Sequence, residues 1–198
     1  MAKEGVTEFW HLIDGSFPLD LCRNRLVKKA LDLGATHVLF FDVDMTYPRD
    51  FITRILSTGA DCVGPLYFKK SEPFAPVAGI KDVPNDPQLI RPLSYARFEE
   101  GEFKGFRREL IEVDVIGCGG MLVSRRVLEA IGENWFEYER YKKTGEMSVT
   151  EDVPFCRKVK ENGFKVYCHT GIVCGHLMTL PVSGKSWEDT IERSSVKG

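Results

Sequence analysis

From Leu19 to Leu33 the apolar positions Leu19, Cys22, Leu26, Ala30 and Leu33 recur at intervals of three to four, which places them on one face of a helix. Gly15-Ser16-Phe17-Pro18 opens this helix with a proline in its first turn, and Gly34 stands where a left-handed cap would end it. Before it, Glu8 to Ile13 reads as a short strand. After it, Val38-Leu39-Phe40-Phe41 is an unbroken apolar run that stops abruptly in acid, the pattern of a central strand covered on both faces. Phe51, Ile52, Ile55 and Leu56 return to helical spacing, Gly59 ends them, and Asp61 to Tyr67 is strand-like again. Successive strand-helix-strand units predict an α/β fold with a mostly parallel central sheet flanked by helices.

Between Lys69 and Arg108 the periodicity dissolves into Pro, Gly and charge, so hairpins or a mobile substrate loop are expected there. Order returns with a strand from Glu112 to Ile116, the turn Gly117-Cys118-Gly119-Gly120, a strand from Met121 to Val123 and a Ser124-capped helix through Ile131. Thr150 caps a further helix that begins Glu151-Asp152 and closes at Gly163, followed by strand-like Phe164 to Cys168 and Ile172 to Cys174. At 198 residues the chain suits one core, so a single domain over residues 1–180 is expected, with 181–198 as a polar tail or lid.

Composition narrows the classes. A hydrophobic fraction of 43% with 28% charged residues is that of a globular protein, and no apolar stretch approaches the roughly 20 residues a membrane span needs. A formal net charge of -2 gives no field that would gather nucleic acid, which is not expected as a partner. The N-terminal Met1-Ala2-Lys3-Glu4-Gly5 has no signal-like apolar core, so a cytoplasmic location is expected. The six cysteines form no C-x-x-C pair and read as reduced, mostly buried thiols.

The chemistry begins at Asp42-Val43-Asp44, at the C-terminal end of the apolar run, where open α/β sheets place their ligands. Two carboxylates this close to a core need compensation, which Mg²⁺ or Mn²⁺ would supply as oxygen-seeking ions that also bind nucleotide phosphates. A solvated strand-end turn is the competing reading. Glu151 and Asp152 sit in a helix first turn, which the macrodipole alone explains; alternatively, one of them faces the crevice and takes a proton from an acceptor hydroxyl. His176 ends the last strand-like stretch and is either structural, a ligand of the same ion, or part of a zinc site with Cys168, His169 and Cys174, whose spacing does not match paired zinc ligands. Gly119-Gly120 would let the backbone approach a ligand closely, and Arg23 is placed either to clamp a phosphate or ribose or to form a salt bridge.

Taken in order, several stretches resemble the GT-A fold glycosyltransferases, in particular family 2-like enzymes of bacterial and phage type. They are Cys22-Arg23-Asn24, Leu39 to Met45, Gly117 to Val123, Thr150 to Cys156, Gly163 to Tyr167 and Gly175-His176. The resemblance implies a single GT-A-like, Rossmann-like domain. It also implies a metal-dependent transferase, of hexosyltransferase type, moving sugar from a nucleoside-diphosphate sugar to a hydroxyl of a carbohydrate, lipid or protein.

By the same resemblance Asp42, Asp44 and His176 surround Mn²⁺ or Mg²⁺, with Asp42 also facing the donor ribose and Asp44 and His176 binding the ion directly. Asp152 is the catalytic base of an inverting displacement, and Arg23, Asn24, Gly119, Gly120 and Glu151 line the donor site. Family members open with a strand and a polar loop for the nucleobase, and here the pattern is entered at about its second strand. The N-terminal unit is therefore expected to be shortened: either the domain is reduced, or Gly5 to Ile13 substitutes for that unit, or part of the natural protein lies outside this sequence. A degenerate binding module and a sugar-phosphate nucleotidyltransferase are the alternatives, the latter lacking a visible Gly-rich phosphate loop.

Overall fold

The computed structural model describes residues 8–72, 74–81, 90–92, 110–140 and 147–179. In chain order it contains helix α1 (Leu19–Asp32), strands β1 (His37–Leu39) and β2 (Met45–Thr46), helix α2 (Phe51–Leu56), and strands β3 (Cys62–Leu66), β4 (Ala78–Lys81) and β5 (Ile90–Pro92). Strands β6 (Leu110–Val113), β7 (Val115–Ile116) and β8 (Leu122–Ser124) lead to helix α3 (Arg125–Ile131). Strands β9 (Glu139–Arg140) and β10 (Met147–Val149), helix α4 (Asp152–Glu161), and strands β11 (Val166–Val173) and β12 (Gly175–His176) complete it. Among the described residues no helix is long and apolar enough to cross a membrane.

Five strands form the main sheet in the order β1-β8-β3-β11-β6. The α/β class holds, but the pairing is not mostly parallel. β3 and β11 pair in parallel, while β1 with β8, β8 with β3 and β11 with β6 are antiparallel. β1, β3 and β11 still share one direction; β8, which enters between β1 and β3, runs the opposite way, as does β6 at the far edge. An apolar run covered on both faces reads the same in either direction, so hydrophobic pattern reports burial and not polarity.

β1 also stands at the edge of this sheet among the described residues, not at its centre. Its faces are nevertheless both covered: Val38 packs on one core and Leu39 on the other. The first core holds Val27 of α1, Val127 and Leu128 of α3, and Phe155, Cys156 and Val159 of α4 against Cys62, Val123, Val166 and Cys168 of the sheet. The second places Phe51 and Ile55 of α2 against Val63, Leu122 and Ile172 on the other face. Alternation along each strand feeds both layers, and each fully buried side chain of this size contributes about 1.5–3 kcal/mol.

Local signals explain most boundaries. α1 begins after Pro18, whose extended backbone (φ -76°, ψ 159°) and missing N–H suit a helix start. Its buried stripe is Cys22, Arg23, Val27 and Ala30, so the face is turned from the apolar one by about a residue and carries an arginine inward. Gly34, Gly59 and Gly163 end their elements at φ of 82°, 64° and 82°, where a side chain would be strained. Ser124 does precede α3, but its hydroxyl donates to Asp61 at 2.7 Å and not to the helix.

Glu8 to Ile13 is not a strand. Phe9 and Ile13 are exposed, and the chain instead turns at Asp14, whose carboxylate accepts from the Ser16 N–H at 3.0 Å and from Arg25 at 2.8 Å. The FW and LI doublets do not alternate, so no single strand face could bury them. Of the segment 69–108, β4 and β5 form an antiparallel pair, as hairpins require; the rest beyond Lys81, and the tail from 180, lie outside the described residues.

Candidate functional site

Past the end of β1 the chain makes a tight loop through Asp42, Val43 and Asp44 into β2. Tyr47 fixes it, its hydroxyl accepting the Asp42 N–H at 3.1 Å while its ring packs on Phe41 and Phe51. The two aspartates leave this loop toward different partners. Asp42 accepts a hydrogen bond from Arg23 at 3.2 Å, and the other guanidinium nitrogen binds Glu151. Arg23 is 6% exposed and Glu151 3%, so this is a buried pair with Asp42 at its rim. The guanidinium also lies 5.9 Å from the Phe136 ring centroid and against Cys118, whose thiol burial pushes up to about 12.

Asp44 meets β12. His176 pairs across from Met45, the Leu177 N–H donates to the Asp44 carbonyl at 2.7 Å, and His176 Nε2 lies 3.7 Å from Asp44 Oδ2. His176 Nδ1 is 2.7 Å from the Phe68 carbonyl, which can only accept. Nδ1 therefore carries a proton, and in the neutral ring Nε2 turns a lone pair toward Asp44, the arrangement by which proteins orient a metal-binding imidazole. The Tyr67 ring meets the same imidazole edge-on at 5.6 Å. Lys70 donates to Asp44 Oδ2, and that bond holds the carboxyl below its ordinary range against the opposing effect of burial.

The glycine turn lies beside Asp42. A Cβ on Gly119 would stand 3.4 Å from Asp42 Oδ2 and 3.1 Å from the Tyr67 ring, and one on Gly117 would stand 2.0 Å from the Tyr67 hydroxyl. Gly120, at φ 113°, would clash with Pro65 at 2.8 Å. Tyr67 accepts the Gly119 N–H at 3.2 Å, so one buried ring braces both this turn and His176.

Asp152 opens α4 immediately after Glu151. Thr150 Oγ1 donates to it at 2.5 Å, and burial raises its pKa above the usual carboxylate value, while the Thr150 bond and the Arg23 charge pull it down. That shift offsets the weakening of a base by the helix dipole.

The predicted residues thus divide. The structure brings Asp44 to His176, and Asp42 to Arg23, Glu151 and Gly119. It does not bring Asp42 into the Asp44–His176 pair, and no group of three metal-ligating side chains converges among the described residues. Glu151 faces Arg23. Asn24 gives its amide to both backbone groups of Phe136, at 2.8 and 2.9 Å, and pins the loop after α3.

The zinc grouping does not assemble: Cys168 lies in the first core and Cys174 in the second, on opposite faces of the sheet, and the buried His169 Nδ1 has no hydrogen-bond partner among the described residues. Sequence reading missed Lys70 and Tyr67. Lys70 sits where periodicity had already failed, and Tyr67 looked like one more strand residue.

No family model matches the chain, and no curated protein matches it in sequence. Among solved structures it is similar to A197 from STIV, at TM-score 0.50 and 17% identity over 82% of this chain and 69% of that one. It is also similar to GalNAc-T7, crystallised with UDP, GalNAc and Mn2+, at TM-score 0.53 and 13% identity over 82% of this chain. The fold is GT-A-like. The match spans 31% of the GalNAc-T7 chain. A groove of about 420 Å³ lined by His37, Asp61, Ser124 and Arg126 opens at the other ends of β1 and β8, away from the carboxylates.

Proposed function

We propose that the chain is a glycosyltransferase that moves a sugar from a nucleoside-diphosphate sugar to a hydroxyl acceptor, with inversion. The observation that carries this is the meeting of Asp44 with a His176 whose Nδ1 is committed to the Phe68 carbonyl, leaving Nε2 aimed at the carboxylate. One oxygen and one nitrogen suit Mn²⁺ or Mg²⁺, ions that take few protein ligands and complete their shell with phosphate oxygens and water. The bound ion would neutralise charge on the departing diphosphate.

The chain's own groups do the rest. Gly119 and Gly120 let the turn pack directly against Tyr67, Asp42 and Pro65, where a side chain would collide, and so hold the backbone close beside Asp42. Arg23 works through Asp42, holding its carboxylate at the loop's rim, and does not itself reach a phosphate. Asp152 accepts the acceptor's proton, aided by the burial that raises its pKa. A base on the acceptor side and a leaving group on the other describe direct displacement.

GalNAc-T7 was crystallised with UDP, GalNAc and Mn2+, so UDP-sugars are the first donors to test. The experiment is donor hydrolysis and transfer with UDP-, GDP-, CDP-, ADP- and dTDP-sugars with Mn²⁺, on the wild type and Asp152→Asn. Turnover with one donor, reduced at least about 100-fold in the variant while donor binding persists, is expected for a lost general base. Absence of turnover with every donor, or a fully active Asp152→Asn, would overturn it.

A further inference from the structure

Among the described residues Asp44 Oδ2 has two charged or imidazole neighbours, Lys70 and His176, and both come from one short hairpin or depend on it. The hairpin is closed by a bridge between Phe68 and Pro76, by the Lys69 N–H donating to Ala75 at 2.9 Å, and by the Phe74 N–H donating to Ser71 at 2.8 Å. Its Phe68 carbonyl orients His176 from one side at 2.7 Å. Two residues on, Lys70 places its ammonium on the same Asp44 oxygen that His176 Nε2 faces at 3.7 Å. The element that prepares the imidazole therefore also delivers a positive charge to the carboxylate beside it.

That ammonium and a divalent ion cannot share Asp44 Oδ2. Both need the oxygen at contact distance, and like charges that close repel. Lys70 is half-exposed, on a long flexible stem, and able to leave. We propose that Lys70 is a tethered cation that competes with the divalent ion for Asp44, so that ion binding requires the ammonium to swing away. This rests on reading Asp44 and His176 as ligands of the ion. Before the ion arrives, Lys70 neutralises Asp44; once displaced, its ammonium remains next to the ion.

The test is binding of Mn²⁺ alone to the full chain, read as loss of the free-ion paramagnetic resonance signal. The proteins are the wild type, Lys70→Met, Lys70→Gln, Lys69→Met and Asp44→Asn. Lys69 is the control, since its removal changes net charge equally and the residue is exposed one position away. Expected is a Kd about fivefold lower or more in both Lys70 variants, the worth of a partly exposed ion pair near 1 kcal/mol. A change of less than about twofold is expected for Lys69→Met, with binding lost in Asp44→Asn. Unchanged or weaker binding in both Lys70 variants, with binding still lost in Asp44→Asn, overturns the competition alone. Binding by Asp44→Asn equal to wild type, or no binding by any of the proteins, overturns the metal site and the competition together.

Discussion

Asp42 and Asp44 are separated by one residue on the same loop, yet they enter different environments. Asp42 sits at the rim of a cluster whose centre is sealed from water, where Arg23 joins its partly exposed carboxylate to the buried Glu151. Asp44 belongs to an open group whose three members, Asp44, Lys70 and His176, are all partly exposed, with side-chain exposures of 41%, 39% and 21%. In the first, charge is matched by a permanent guanidinium that has nowhere to go. In the second, the matching charge sits on a side chain that solvent can take over. Rigid charge pairing holds the loop; exchangeable pairing leaves an oxygen free for something else.

The largest expected effect lies on the sealed side. Arg23→Met removes the side-chain partner that Glu151 has among the described residues while leaving that carboxylate buried, and uncompensated buried charges of this kind cost about 3–5 kcal/mol. For a chain of this size that corresponds to a fall of roughly 10 °C in Tm. Thermal unfolding of Arg23→Met beside Lys70→Met gives the contrast directly, because the latter breaks a half-exposed pair worth at most about 1 kcal/mol. Equal losses in the two variants would erase the distinction between the regions.

Much of this contrast was invisible in the sequence, for a specific reason. The apolar spacing of α1 located the helix but set its face a residue away from the one that is buried, because a hydrophobic pattern has no means of burying an arginine. The arrival of Asp42 and, 128 positions after Arg23, of Glu151 makes that burial tolerable. The meeting of Asp44 with His176 was legible because both end strands of the same direction, and strand ends gather along one edge.

Strand direction itself was not legible at β8, and neither was Lys70, whose position depends on a turn without periodicity. Asn24 misled because an amide that pins a backbone and one that binds a ligand look identical in sequence. Ser124 marked its helix start correctly, while Thr150 fell one residue short of the Glu151 cap; their hydroxyls serve Asp61 and Asp152 and leave the helix N–H groups alone.

A smaller effect separates Asp152 from its neighbour Glu151. Burial raises the Asp152 pKa in the folded state above its unfolded value, so the folded chain holds that proton to higher pH than the unfolded chain does. The favourable contribution of the protonated form is fully present below the ordinary carboxylate range and is lost as pH rises through the raised folded value. At neutral pH the ionised Asp152 is thus a source of instability. Asp152→Asn should unfold at a higher temperature than wild type near pH 7, with the gap closing below about pH 4. A gap that is constant with pH, or of the opposite sign near pH 7, would show that Asp152 is compensated as fully as Glu151.

The smallest expected change in stability belongs to Asp44, and its smallness is the point. Asp44→Asn keeps the size of the side chain, leaves the Asp44 carbonyl to accept from the Leu177 N–H, and leaves His176 bound to Phe68 through Nδ1. What it removes is a half-exposed ion pair with Lys70, and surface pairs of this kind are worth about 0–1 kcal/mol. Unfolding of Asp44→Asn in metal-free buffer should therefore fall within about 2 °C of wild type. With Mn²⁺ added the two should part: wild type gains stability as RT ln(1 + [L]/Kd), about 2.7 kcal/mol at 100-fold excess over Kd, and the variant gains nothing. Melting curves with and without Mn²⁺ decide it. A variant that loses several degrees before any ion is added would make Asp44 a structural residue like Arg23. A variant that responds to Mn²⁺ as wild type does would move the ion away from this loop, and both aspartates would then serve only to hold the chain.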